Sequence, residues 1–301
     1  MNRTFIITGG NSGLGYQCAK NIALQSRNNS IVIASRNAEK SDKAVKQLVL
    51  ETQNTDIYSF PLDLSSLQSV RDFAAKFVSQ KFPPLYGLVC NAISGGKKPT
   101  EDGFDMTFGT GHLGHFLLVN LLLKNMQNGR IIFVSSDQHN PPSFIAKLHY
   151  TDALEFAFPN KNSHNTRYSI TKLCNLYCAY ELSEKLHSET DKNITVNAFN
   201  PGFMADTGLA KPQNAAEKLL QHIAPLLARL LGTHSSDVIS GKLLAEYMTR
   251  DKQEGITGKY FDRGKEIPSS GLSYNKANAA NLWIRSIELT RLQQQETVFD
   301  F

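Results

Sequence analysis

Cysteine is scarce in this chain, and long apolar runs are missing. The four cysteines, Cys18, Cys90, Cys174 and Cys178, fall inside predicted helices and strands. That placement excludes a loop-rich disulfide framework and predicts reduced, buried thiols. Cys174 and Cys178 share a helix face, and His112 and His115 are near neighbours, but neither pair has further ligands placed to close a metal site, so no metal is expected. The longest apolar stretch, Phe116 to Leu123, is too short to span a bilayer, and no integral membrane segment is expected. Basic residues form no dense stripe: 32 Lys and Arg stand against 27 Asp and Glu, spread along the sequence, for a net charge of +5. Nucleic acid is therefore not an expected partner. Met1 to Thr8 runs straight into a predicted strand and leaves no room for a leader, so a cytoplasmic location is expected. Acidic residues are also absent until Glu39, and no carboxylate can serve the first strand or the turn after it.

What is present points to one large α/β domain. At 301 residues, 41% hydrophobic and 20% charged, the chain can bury a full core. Short β-branched runs recur at Thr4 to Thr8, Ser30 to Ser35, Ile57 to Pro61, Leu85 to Cys90, Arg130 to Ser135 and Ile194 to Phe199. Helical patterns separate them, starting near Leu14, Ala38, Leu67, Phe104 and Thr166, and a last strand is predicted near Gly258 to Phe261. Such alternation predicts a doubly wound parallel sheet covered on both faces, in a single domain over residues 1–301.

Two motifs carry chemistry. The first strand runs into Thr8-Gly9-Gly10-Asn11-Ser12-Gly13-Leu14-Gly15, where Gly9, Gly13 and Gly15 allow a tight turn and close approach of backbone to a pyrophosphate at a helix start. A NAD site would place a carboxylate about 20 residues further on, to hold the ribose hydroxyl. Instead the second strand ends in Ala34-Ser35-Arg36. A guanidinium there pairs with the 2'-phosphate of NADP, so NADP(H) is expected over NAD, the other reading of Arg36 being a solvated residue after a strand. The second motif is Tyr168 with Lys172. On a helix the spacing of four puts phenol and ammonium on one face, where a cation can hold the phenol close to ionisation. Alone it reads first as an exposed helical pair. With the glycine turn it reads as hydride chemistry on a nicotinamide cofactor.

Over nearly its whole length the chain resembles the short-chain dehydrogenases/reductases. Thr8 to Gly15, including Asn11, Ser12 and Leu14, looks like that family's cofactor turn on a Rossmann fold. Asp63-Leu64 is similar to its adenine-contacting pair, and Asn91-Ala92 to the start of its Asn-Ala-Gly motif, with Ile93 in the third place. The resemblance makes Ser136, closing Phe-Val-Ser-Ser, the catalytic serine in preference to Ser135. It makes Tyr168 and Lys172 the catalytic pair, and Pro201-Gly202, followed by Phe203, the turn that shapes the nicotinamide pocket. Val-Cys-Asn-Ala at 89 to 92, His-Leu-Gly-His-Phe at 112 to 116 and Lys-Leu-Cys-Asn at 172 to 175 are most similar to the retinol dehydrogenase and light-dependent protochlorophyllide reductase branch. Protochlorophyllide reductases typically carry a cysteine where this chain has Phe203. Gly111 stands where the family usually has an asparagine, whose backbone helps hold a water near the lysine. Asp206 stands where a threonine normally contacts the cofactor, so Thr207 is expected to take that contact while Asp206 caps a helix.

The chemistry follows from these residues. After hydride transfer to a carbonyl carbon the oxygen must receive a proton, which Tyr168 supplies. A free phenol titrates near 10, so work near neutrality needs a downward shift of about 2 to 3 units, with Lys172 and the oxidised nicotinamide as its sources. Ser136 would hydrogen-bond the carbonyl oxygen. A helix-period apolar stretch, Leu219, Leu220, Ile223, Leu226, Leu227, Leu230 and Leu231, reads either as a lid around 203–235 over a small lipophilic substrate, or as packing on the core or a partner subunit. Residues 137–167 are expected to form the other pocket wall. The expected activity is NADP(H)-dependent interconversion of carbonyl and alcohol. Reduction of an activated carbon–carbon double bond and a low-turnover NADP(H) sensor are the alternatives. The family resemblance further implies a homodimer or homotetramer through the long helices that begin near Phe104 and Thr166.

Overall fold

A computed structural model describes residues 2–141, 147–204, 235–250 and 255–301. The strands are β1 (Arg3–Thr8), β2 (Asn29–Ser35), β3 (Ile57–Pro61), β4 (Leu85–Cys90), β5 (Asn128–Val134), β6 (Asn193–Asn200), β7 (Tyr260–Asp262) and β8 (Lys265–Glu266). They form one sheet in the order β3-β2-β1-β4-β5-β6-β7-β8, parallel throughout except for the closing β7–β8 pair. This is the doubly wound order that the alternating pattern predicts, and it reverses between β1 and β4. At that reversal a crevice must open beyond the strands' C-terminal ends, since the following segments leave toward opposite faces.

The helices are α1 (Gly13–Gln25), α2 (Ala38–Thr52), α3 (Leu67–Ser79), α4 (Met106–Leu123), α5 (Leu154–Ala157), α6 (His164–Glu189), α7 (Asp237–Thr249) and α8 (Lys276–Thr290). One face of the sheet packs Phe5, Ile7 and Ile33 against Cys18 and Ile22 of α1, Leu48 of α2 and Leu244 of α7. The other packs Ile6, Leu88 and Phe133 against α3, α4 and α6. Central strands are apolar on both sides because both sides are covered. All four cysteines are free and buried.

Helix α4 is longer than the apolar run Phe116 to Leu123. It starts at Met106, carries a π turn over Gly109–Leu113, and reaches a mean hydropathy of 1.2 over 18 residues, of which 89% are buried in the fold. Its apolarity serves burial between the sheet and α8. Ring contacts seat α8 there: Trp283 meets Phe116 edge-on at 5.0 Å and Phe299 at 5.6 Å. His112 Nε2 lies 2.8 Å from Ser286 Oγ, whose own proton goes to the Leu282 carbonyl. Residues 169–179 of α6 are buried on every side. Part of the outer surface of these two long helices is covered by the chain's own helix α8.

Candidate active site

The crevice at the β1/β4 reversal is a cleft of about 650 Å³, and the sequence motifs converge on it. Gly9 (φ +66°) and Gly13 (φ +52°) adopt the left-handed backbone that favours glycine. A Cβ at Gly15 would stand 2.5 Å from the Gly9 carbonyl oxygen, so α1 can start this close to the turn only without a side chain. A Cβ at Gly13 would meet nothing within 4 Å and would project into open space. Ser12 makes no side-chain capping bond to α1, and Ser12, Gly13 and Leu14 at the helix start line the cleft. These features fit a pyrophosphate.

Side chains lock the turn to β4. Thr8 Oγ1 accepts the backbone N–H groups of Asn91 (2.8 Å) and Ala92 (3.0 Å), and Asn91 Nδ2 donates to the Thr8 carbonyl at 2.8 Å. Beneath them His115 Nε2 lies 2.9 Å from Thr8 Oγ1, and burial pushes this imidazole down to about 4, so it is neutral. Asp63 and Leu64 line the cleft, with Asp63 Oδ1 accepting from Ser65 N and Oγ at 2.9 and 2.7 Å. Arg36 lines it at the end of β2. Asn37 caps α2 through the Lys40 N–H at 2.8 Å, and its first turn brings Lys40 to the same rim.

At the opposite end Pro201, Gly202 (φ +85°) and Phe203 line the wall. The Phe203 carbonyl accepts the Ser235 N–H at 3.0 Å. Thr207, Asp206 and the apolar stretch from Leu219 to Leu231 lie outside the described residues.

The two serines after β5 divide their roles. Ser135 is buried and donates to the Lys172 carbonyl at 2.9 Å, which commits it to structure. Ser136 faces the cleft, near enough to the Tyr168 phenol to oppose part of the effect of its burial. Its hydroxyl also donates to Asp137 Oδ1 at 3.0 Å, a partner that sequence reasoning missed. Lys172 Nζ donates to the Val134 carbonyl at 2.8 Å and lies 5.4 Å from the centre of the Tyr168 ring. Burial pushes the Tyr168 phenol up to about 12 and the Lys172 ammonium down to about 7. The downward shift expected from Lys172 and the oxidised nicotinamide together is not produced by Lys172 in the protein alone. Desolvation outweighs the cation, whose head is turned to the end of β5.

Residues 3–150 match the family described as short chain dehydrogenase. The chain is 34% identical over 302 residues to polyprenol dehydrogenase of Danio rerio, covering 96% of this chain and 86% of that protein. The chain belongs to the short-chain dehydrogenase/reductase family. Human retinol dehydrogenase 13 is 32% identical over 301 residues, covering 97% of this chain and 85% of that protein. Among solved structures, an uncharacterized protein from Mycobacterium paratuberculosis superposes with a TM-score of 0.71 at 25% identity, covering 96% of this chain and 93% of that one.

Two departures of this short-chain dehydrogenase/reductase from its family turn out to touch each other. A Cβ at Gly111 would stand 2.8 Å from Ile93 Cδ1 and 2.7 Å from Thr171 Cγ2. Ile93 therefore fills space that a side chain at 111 would need, and the glycine answers packing. The Gly111 carbonyl faces His115 Nδ1 at 3.3 Å. The wall from 137–167 contributes Asp137, Gln138, His164 and Asn165 to the cleft. His164 stands one helical turn before Tyr168 on the same face, a spacing visible in the sequence once Tyr168 is chosen.

Proposed function

We propose that the protein is an NADP(H)-dependent oxidoreductase that interconverts a carbonyl compound and its alcohol, with a small lipophilic substrate. The observation that carries this reading is the convergence of Ser136, Tyr168 and Lys172 at one end of a cleft whose other end is the glycine turn. A nicotinamide held in this cleft would supply or accept the hydride. The chain's residues manage the proton: Tyr168 gives it to the substrate oxygen or takes it, and Ser136 donates a hydrogen bond to that oxygen as charge develops. Because the phenol alone titrates near 12, the positive charge of the oxidised cofactor is required to bring it into range for alcohol oxidation. Arg36, with Lys40 beside it, would hold the 2'-phosphate, and no acidic residue precedes Glu39 to oppose it. A lipophilic alcohol or carbonyl compound agrees with the names of the two relatives, a polyprenol and a retinol dehydrogenase.

A low-turnover NADP(H) sensor is the second reading, favoured by the Ser136 hydroxyl engaged on Asp137 and the Lys172 head engaged on Val134. Fluorescence titration with NADPH and NADH, then NADPH oxidation against lipophilic aldehydes, ketones and enones, separates the two. The enzyme reading expects tighter NADPH binding that weakens about tenfold in Arg36→Ala. It also expects turnover that falls about 10²–10⁴-fold in Tyr168→Phe with cofactor binding kept. Tight binding without turnover across the panel would favour the sensor, and binding of neither nucleotide would overturn both.

A further inference from the structure

The loop that carries Ser136 is gripped from behind by a histidine that does not line the cleft. His139 is buried three residues downstream. Its Nδ1 lies 2.6 Å from the Ser136 carbonyl oxygen, and its Nε2 accepts the Ser270 backbone N–H at 3.1 Å. An acceptor on one side and an amide donor on the other fix the tautomer: the proton sits on Nδ1 and the lone pair on Nε2. The ring also packs edge-on against Tyr260 at 5.0 Å.

Ser270 belongs to a strap, residues 269–274, that is bound to α6. Tyr177 Oη donates to the Leu272 carbonyl at 2.9 Å, Tyr180 Oη pairs with Ser269 Oγ at 2.7 Å, and the Tyr180 and Tyr274 rings stack at 5.5 Å. Helix α6 also carries Tyr168 and Lys172. One short segment therefore touches both halves of the site, α6 directly and the serine loop through His139. Ser136's own side-chain bonds to Asp137 and to the Gln138 N–H are local and travel with the loop. Upstream, Ser135 anchors the loop to β6 and to the Lys172 carbonyl. Downstream, the anchor is His139.

We propose that His139 is a positioning residue, which sets Ser136 against Tyr168 by tying the Ser136 carbonyl to the Ser270 strap. The proposal rests on the reading of Ser136 as the hydroxyl that meets the substrate oxygen. His139→Phe keeps the ring packing and removes both bonds, while His139→Asn keeps a donor for the Ser136 carbonyl but cannot reach Ser270. Each is made in the wild-type protein and in Ser136→Ala. The measurements are kcat and KM with NADPH and decanal, NADPH affinity and the thermal midpoint.

The expected result is a fall in kcat of about tenfold or more in His139→Phe, and a smaller fall in His139→Asn, with NADPH affinity within about twofold. In the Ser136→Ala background either change should cost less than about twofold, because its route to the chemistry is already gone. Wild-type kcat in both single variants, or equal losses in both backgrounds, would overturn the proposal, the latter showing a purely structural histidine. If His139→Phe does not fold, the Asn variant carries the same comparison. Unchanged kcat in Ser136→Ala alone would instead remove the reading of Ser136, and no turnover by the wild type would overturn both.

Discussion

The two ends of the cleft are prepared in different ways. At the glycine end the backbone is already in its working conformation: Gly9 and Gly13 hold positive φ, and Thr8 is locked to Asn91 and Ala92 by three short bonds. At the hydroxyl end the atoms are in place but the protonation states are not. Tyr168 is held near 12 and Lys172 near 7, both displaced by burial toward their neutral forms. On the proposed function, binding is preorganised, whereas the proton chemistry depends on charge that the ligand would bring.

The sharpest way to break that contrast is at the preorganised end. Gly15→Ala places a Cβ 2.5 Å from the Gly9 carbonyl oxygen and 2.9 Å from Asn91 Nδ2, neither of which can move without opening the turn. NADPH affinity is expected to fall about 100-fold, the effect of roughly 3 kcal/mol of strain at an overpacked site. Loss of less than about threefold by fluorescence titration would mean that the turn is softer than its geometry implies.

At the other end the prediction concerns stability. A lysine whose folded value lies near 7, below its unfolded value of 10.5, is a group for which the unfolded chain binds the extra proton between those pH values. Stability of the cofactor-free protein should therefore rise with pH across that window, by about 2 kcal/mol between pH 7 and 9 from this group. Lys172→Met should flatten this slope and stabilise the protein at pH 7 by about 1–3 kcal/mol, while eliminating turnover. The Val134 carbonyl keeps Asn175 Nδ2 at 3.2 Å, so it is not orphaned. Urea unfolding of both proteins at the two pH values decides this, and an unchanged slope in the variant would show that the buried ammonium is better solvated than its surroundings indicate.

The same contrast governs what was legible in the sequence. The alternation of strands and helices and the glycine turn follow from short-range pattern, because period, β-branching and positive-φ glycine are local properties. Ser136, Tyr168 and Lys172 are singled out by motif and line one cleft, yet the direction of the Tyr168 shift in the protein alone is not legible, since it is set by burial contributed from distant segments. Asp137 beside Ser136 and His164 one turn before Tyr168 are adjacent in sequence to the motifs, but their significance appears only when both face one cleft. Nothing local shows that α8, more than 90 residues after α6 begins, folds back against α4 and α6. Apolarity in α4 signals that something covers it and leaves open what.

Ile93 and Gly111 give the smallest effect and the finest test of how the two ends are joined, since Ile93 follows Asn91-Ala92 and Gly111 backs onto α6 through Thr171. Gly111→Asn should destabilise the protein by about 1–2 kcal/mol, because its Cβ would stand 2.8 Å from Ile93 Cδ1 and 2.7 Å from Thr171 Cγ2. Ile93→Gly removes one of these obstructions. The double variant should therefore be more stable than the sum of the single costs by about 1 kcal/mol, read from urea midpoints at constant slope. Additivity within about 0.5 kcal/mol would make the two departures independent. A coupling of the expected sign would show that the turn after β4 and the helix behind the lysine were altered as one packing unit, so that a side chain at 111 and a side chain at 93 exclude each other.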